Sequence, residues 1–168
     1  MKVYVTYIQT PIGWIELRAT ETHLIMARWV AEPSAEREES VNPILQETIW
    51  QLEEYFEGKR TSFELPLLQE GTPFQQRVWE ELQLIPYGKQ ISYQELAKRA
   101  GNTKAYRAAG SANGKNQIFI IVPCHRVVLA DGNVGGYAYG PEMKRFLLDL
   151  EVKKQSHLIC VASKRQLP

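Results

Sequence analysis

The sequence predicts an α+β protein in two parts, on three observations. Its first thirty or so residues alternate apolar and polar positions in the manner of a β-meander, and one helix-spaced segment follows. From Thr72 the texture changes to short capped helices, two of them joined by a glycine-containing turn. An apolar run then ends in Pro123-Cys124-His125, the one concentrated chemical signal in the chain. At 168 residues the chain is long enough to bury a real core.

In chain order, Val3, Val5 and Tyr7 alternate with polar neighbours, Pro11 and Gly13 mark a turn, and Trp14 to Arg18 alternates again. A third strand is expected over about His23 to Trp29, followed by an acidic loop from Ala31 to Ser40. Asn42 and Pro43 have the chemistry of an N-cap and a first helical residue, since Asn can accept from a free backbone N–H and proline has none to lose. Ile44, Leu45, Thr48, Ile49, Leu52 and Phe56 recur at helical spacing, and Gly58 is the expected stop. Nothing in this half looks like a site. Residues 1–70 therefore read as a structural domain with Leu65 to Gly71 as its linker, followed by a second domain over 71–152 and a tail over 153–168.

Thr72-Pro73-Phe74-Gln75 is a capping-box start, and Phe74, Val78 and Leu82 share one helical face until Pro86-Tyr87-Gly88. Ser92-Tyr93-Gln94-Glu95 repeats that start, with Leu96, Ala97 and Ala100 continuing the face of Tyr93. Gly101-Asn102 breaks the helix, and Thr103 stands where it would cap another, from Lys104 to about Asn113. Two short helices about a tight turn, the second basic, form a helix-turn-helix pattern. That second helix carries Ala105, Ala108, Ala109, Gly110, Ser111 and Ala112, leaving Arg107 as the long side chain in its middle. Base-edge readout in the major groove needs long polar side chains. A small-residue face instead favours close, sequence-tolerant approach, through the minor groove more than the major. Tight packing against a neighbouring helix is the competing explanation.

Ile118 to Val122 reads as a strand or extended segment buried on both faces, and Pro123 ends regular pairing where Cys124 and His125 appear. A thiol on rigid, dry backbone beside a group that takes its proton is how a protein makes a nucleophile. The bland alternative is a small core cysteine and a satisfied histidine. The proline, the polar pair and Arg126 within an apolar run speak against it.

Charged residues at 23% and apolar residues at 44% describe an ordinary globular chain. No apolar run is long enough for a membrane span and Met1 to Gln9 lacks a leader pattern, so a cytoplasmic, reducing setting is expected. Two cysteines, with His23, His125 and His157 scattered, suit neither a disulfide framework nor a zinc site, and no metal or cofactor is expected. Charge is unevenly placed. Eight Glu against Arg37 alone lie between Glu32 and Glu57, whereas Leu96 to Ala130 holds no acid beside Lys98, Arg99, Lys104, Arg107, Lys115 and Arg126. Such a basic block is the footprint of a phosphate-backbone surface, although composition alone fits a solvated helix face equally well.

Pro123-Cys124-His125-Arg126-Val127, preceded by an Arg-bearing small-residue helix and followed by Gly135-Gly136-Tyr137, resembles the O6-alkylguanine-DNA alkyltransferases. The resemblance covers about Phe74 to Glu151 and extends more loosely to the first domain, where it implies a ribonuclease-H-like three-stranded sheet with a helix. For the second it implies a mainly helical domain with a winged helix-turn-helix. It further implies that Cys124 is the nucleophile, His125 the base acting through a water, and Glu151 the carboxylate that orients the imidazole. Asn116 matches the hinge that braces the active-site segment, and Tyr93 the donor to guanine N3. Arg107 matches the finger that replaces an extruded nucleotide, which an enzyme acting on a stacked base requires. Gln94, Asn102, Ser111, Ala112 and Ala130 match the DNA-contacting surface, and Val127, Tyr137 and Ala138 the guanine pocket. Ala138 stands where some members carry Ser, so a hydroxyl contact to O6 is missing.

The activity so implied is DNA repair by irreversible transfer of an alkyl group from O6-alkylguanine in double-stranded DNA to Cys124, once per molecule. O4-alkylthymine is a further substrate the resemblance allows. The chain is expected to act as a monomer, with cooperativity on DNA left open, and its affinity should fall with salt. A non-catalytic module that recognises alkylated bases is the alternative. It would keep the basic helices but have no need of Cys124, His125 and Glu151 together. A cysteine hydrolase would give no reason for the basic helices.

Overall fold

The computed structural model describes residues 1–35 and 42–165, with side chains through residue 154. The acidic loop from residue 36 and the side chains around Cys160, including Leu158 to Ala162, lie outside the described residues.

Three antiparallel strands open the chain in the order β1 (Tyr4–Thr10), β2 (Gly13–Ala19) and β3 (Leu24–Val30). The alternation sets the register: Tyr7 lies opposite Glu16, and Glu16 opposite Arg28. On β2 this sends Ile15, Leu17 and Ala19 into the core. The intervening Glu16 is buried too, and it stays charged because Arg18 and Arg28 both reach its carboxylate. Burial alone would raise the Glu16 pKa, and the two guanidinium groups bring it below the ordinary carboxylate value.

The helix α1 (Pro43–Phe56) starts and stops where the sequence indicates. Asn42 Oδ1 accepts from Leu45 N at 2.9 Å, and its Nδ2 donates to Thr20 O at 3.1 Å, tying the cap to the end of β2. At the other end Gly58, at φ +75°, closes a Schellman motif with Lys59 N→Glu54 O at 2.8 Å and Gly58 N→Tyr55 O at 3.0 Å.

The segment read as a linker is docked on the sheet. Leu24 N donates to Pro66 O at 2.8 Å and Leu68 N to Leu24 O at 3.0 Å, so β3 holds it by one parallel bridge.

The second half is helical: α2 (Pro73–Gln83), α3 (Tyr93–Arg99), α4 (Tyr106–Gly114) and α5 (Pro141–Arg165). Thr72 and Gln75 form the full capping box. Ser92 accepts from Glu95 N at 3.1 Å, but the Glu95 side chain turns to Arg99 at 3.0 Å, so the second box is half made. Thr103 does not cap α4. Asn102 takes the turn instead, accepting from Lys104 N at 3.1 Å, and the helix begins two residues later than the pattern suggests. Helices α3 and α4 make the helix-turn-helix, and 129–140 follows as a loop in the place of the wing. A two-residue parallel ladder, β4 (Ile91–Ser92) with β5 (Val127–Val128), ties the start of α3 to the residues just after Cys124. Helix α5 carries Glu151 and continues to Arg165. No helix among the described residues is long and apolar enough to cross a membrane.

Gly58 also sits beneath α5, where an added Cβ would come within 2.5 Å of the Lys154 side chain. Gly58→Ala is expected to cost roughly 1–2 kcal/mol, from the left-handed backbone and the displaced lysine. A lowered urea midpoint at unchanged m-value is the result that checks it.

Candidate active site

Ile118 to Val122 does not form the buried strand its composition predicts. Only Ile118 bridges the sheet, through Ala27 N→Gln117 O at 3.0 Å and Phe119 N→Ala27 O at 3.1 Å. The chain then turns back. Ile121 N donates to Phe119 O at 2.8 Å around Ile120, which is held at φ +69°, and Val122 N closes onto Ile118 O at 3.0 Å. A left-handed β-branched residue stores roughly 1–3 kcal/mol and persists only where neighbours over-determine it. Here Asn116 supplies the constraint. Its Nδ2 donates to Val122 O at 2.7 Å and its Oδ1 accepts from Ile118 N at 3.1 Å. Asn113, at the end of α4, holds the other side of Pro123 by donating to Cys124 O at 3.2 Å. Cys124, His125 and Arg126 then form one turn of 3-10 helix, all three buried.

Glu151, from α5, is the hub beneath that turn. Its Oε1 lies 2.7 Å from His125 Nε2 and 2.9 Å from Arg126 Nη2, and its Oε2 is 3.0 Å from Arg126 Nε. Tyr55 of α1 donates to Oε1 at 2.9 Å, and Gly88 N approaches Oε2 at 3.5 Å. Burial alone would raise this carboxyl's pKa, yet His125 and Arg126 bring it down to about 2. His125 is itself pushed below its ordinary value, by burial first, with Glu151 opposing. The lasting positive charge near neutral pH is therefore that of Arg126. With Glu151 ionised, His125 carries its proton on Nε2. Its Nδ1, buried without a hydrogen-bond partner, is the basic nitrogen.

Cys124 opens onto a cavity of about 450 Å³ lined by Tyr93, Asn113, Phe119, Leu129, Tyr137, Ala138 and Tyr139. Its thiol lies 3.9 Å from the Tyr137 hydroxyl. Burial pushes the thiol up, against hydrogen bonds from Asn116 and Tyr137 and the charge of Lys144. Lys144 is 0% exposed. Its Nζ donates to Tyr93 Oη at 3.4 Å and to Gly136 O at 3.2 Å, and burial brings its pKa down to about 8 while Cys124 opposes. Because Lys144 occupies the phenol oxygen, the Tyr93 hydrogen is left to donate into the cavity.

Cys124, His125, Glu151, Asn116, Tyr93, Tyr137 and Ala138 are thus brought together. Val127 does not line the cavity: it is fully buried in the core, and Leu129, two residues on, takes a place in the cavity wall instead. Gln94, Asn102, Arg107, Ser111 and Ala130 are exposed, as a DNA-facing surface needs. Ala112 is not. It is buried with Ala109 on the inner face of α4, where its carbonyl accepts from Trp79 Nε1 at 2.9 Å. Close helix packing explains that residue.

Residues 3–69 match the ribonuclease-like domain and residues 73–153 the DNA binding domain of 6-O-methylguanine DNA methyltransferase. The chain belongs to this family. It is 44% identical over 156 residues to the constitutive methylated-DNA–protein-cysteine methyltransferase of Bacillus subtilis, covering 88% of this chain and 94% of that one. The crystal structure of the Mycobacterium tuberculosis O6-methylguanine methyltransferase superposes with a TM-score of 0.80 at 42% identity, over 91% of this chain and 94% of that one. A second structure from that organism, its OGT in complex with DNA, gives 0.82 at 41% identity, over 90% and 94%.

Four polar residues of this methyltransferase-family site escaped the sequence reading, and one of them, Arg126, falls in the basic block read as phosphate-facing although it is buried against Glu151. Lys144 left a signal, because it falls on one helical face with Leu147, Leu148 and Glu151, where a solvated lysine has no place. Asn113 and Tyr55 left none, since helix-face spacing marks both as ordinary packing residues.

The geometry carries consequences for titration. Lys144→Met removes the cation that favours the Cys124 thiolate, so iodoacetamide labelling of Cys124 should need a pH higher by about one unit. For Glu151 the folded carboxyl titrates near 2 against an ordinary 4.5. Between those values the unfolded chain binds the extra proton, so this stability is present above pH 4.5 and lost as pH falls towards 2. The effect is on the order of 3 kcal/mol. Urea unfolding of Glu151→Gln across that window should show a shallower pH slope than wild type.

Proposed function

We propose that the protein repairs double-stranded DNA by transferring the alkyl group of O6-alkylguanine irreversibly to Cys124. The observation that carries this reading is the arrangement of a buried thiol on a 450 Å³ cavity with the His125–Glu151 pair beneath it. The nucleotide is extruded into that cavity, with Arg107 filling the stack behind it. His125 Nδ1 takes the thiol proton through a water while Glu151 holds Nε2, the nucleophile, base and orienter logic of other activated nucleophiles. Sulfur attacks the alkyl carbon, the C–O6 bond breaks, and its electron pair passes into the purine. Tyr93 donates its proton to N3, so that guanine leaves neutral, and the imidazolium proton restores the phenol. No metal or diffusible cofactor takes part, because the lesion brings its own electrophilic carbon. A thioether has no ready reverse step, so each molecule acts once.

The remaining assignments follow from position. Gln94, Asn102, Ser111 and Ala130 face the DNA backbone, and the backbone around Tyr137 and Ala138 recognises guanine without a side-chain hydroxyl.

Intact mass after incubation with an O6-methylguanine duplex tests the reaction. A gain of about 14 Da, mapped to Cys124 and saturating at one per protein, is expected, with none in Cys124→Ala. Binding without any mass change would replace transfer by non-catalytic recognition of the lesion.

A further inference from the structure

Glu151 is held from the other half of the molecule. Tyr55 donates to Oε1, the same oxygen that faces His125 Nε2, across 96 positions of sequence. Both Tyr55 and Glu151 are fully buried. Burial and the neighbouring carboxylate push the phenol pKa well above its usual value, so Tyr55 stays protonated and acts as a donor.

The placement of that hydroxyl is over-determined. Helix α1 is fixed at its start by Asn42 on Thr20 and at its end by the Gly58 motif. Gln51 pins its middle by exchanging two hydrogen bonds with the Glu64 backbone, at 3.1 and 2.9 Å. The Tyr55 ring meets Phe56, Phe63 and Tyr87 at centroid separations of 5.2, 5.6 and 6.2 Å. A ring so packed could be satisfied by any nearby acceptor, yet its hydroxyl meets the carboxylate that orients His125.

We propose that Tyr55 is a positioning residue for alkyl transfer: its hydroxyl fixes Glu151 Oε1 and shares that oxygen with His125 and Arg126. The N-terminal half thereby sets how strongly the carboxylate holds the imidazole. The assignment rests on the transfer chemistry proposed above. Three donors compete for one oxygen, so each weakens the hold of the others. Around His125 stand Cys124 and Arg126 from its own turn, Glu151 and Lys144 from α5, and Tyr55 from α1 through Glu151, with Tyr87 close to the same carboxylate. Among these groups Glu151 favours the imidazolium, while Arg126 and Lys144 oppose it. Withdrawing the Tyr55 hydrogen bond leaves more of the carboxylate charge to His125 and makes the ring harder to keep neutral, which a base must be.

Tyr55→Phe keeps the ring and removes only the donor. Single-turnover transfer from an O6-methylguanine duplex to Cys124 is followed against pH, together with duplex affinity and the urea midpoint. The acid limb of the rate profile should move up by roughly half a pH unit, slowing transfer about threefold on that limb, while affinity stays unchanged. A profile that superimposes on wild type, with only a lower urea midpoint, overturns the proposal and leaves Tyr55 a packing residue. Should the variant not fold, 3-fluorotyrosine at position 55 keeps the packing and strengthens the donor. The limb must then move down, and a stationary limb overturns the proposal equally. A wild-type protein that transfers nothing at any pH would overturn the reaction itself and Tyr55 with it, a result distinct from failure of Tyr55 alone.

Discussion

A carboxylate with no access to water is the constraint on which most of this structure depends. Left alone in the interior, the Glu151 charge would cost several kcal/mol or would be lost by protonation. Arg126 prevents both by presenting a two-pronged guanidinium, and its remaining nitrogen donates to Ile85 O at 2.6 Å. Arg126 lies two residues beyond Cys124, so the charge pairing that keeps Glu151 ionised also holds the Cys124 turn to α5 and to the segment just after α2. A neutral side chain at Arg126 would unpair the hub and release the turn together. Stability and site geometry are one set of contacts here.

Burial acts on the reactive groups in a single direction. It raises the Cys124 thiol and lowers His125 and Lys144, so each is pushed towards its neutral form. At rest the proton therefore belongs on sulfur and not on the ring. A thiolate beside an imidazolium costs less in such a place than either ion alone, because each charge then has a partner in low dielectric. Lys144 shifts that balance towards the thiolate without itself accepting the proton. Being held by Tyr93 Oη and Gly136 O, it also joins the electrostatics of the thiol to the orientation of the phenol.

The features legible in the sequence were local ones. Asn42, Thr72 and Gly58 announce helix ends because capping depends on a few adjacent residues, and all three do what their chemistry suggests. Cys124 and His125 were visible as a polar pair inside an apolar run. The run itself misled, since apolarity reports burial and not hydrogen-bond partners. Only Ile118 finds an edge on β3, and Asn116 folds the rest into a turn that puts Ile120 at a positive φ. Ala112 misled for a related reason, because small residues suit a close approach to DNA and to α2 alike, and its inward face was fixed only once α2 was in place. Tyr55 could not be found at all from its own neighbourhood, since its partner lies in another domain.

That partnership changes how the first half of the chain is to be understood. A three-stranded sheet with one helix could serve only to add buried surface, and most of its side chains do no more. Yet β3 receives the start of the Cys124 segment along the edge it does not share with β2, through the Ala27–Ile118 bridge, while α1 delivers a hydroxyl to the hub beneath the same segment. These two contacts act on opposite sides of Pro123-Cys124, one on the backbone that leads in and one on the carboxylate that steadies His125 and Arg126 beyond. Displacing the sheet relative to α5 would strain both at once. The N-terminal half is thus a wall of the site, and the precision with which α1 is capped at both ends is what such a wall requires.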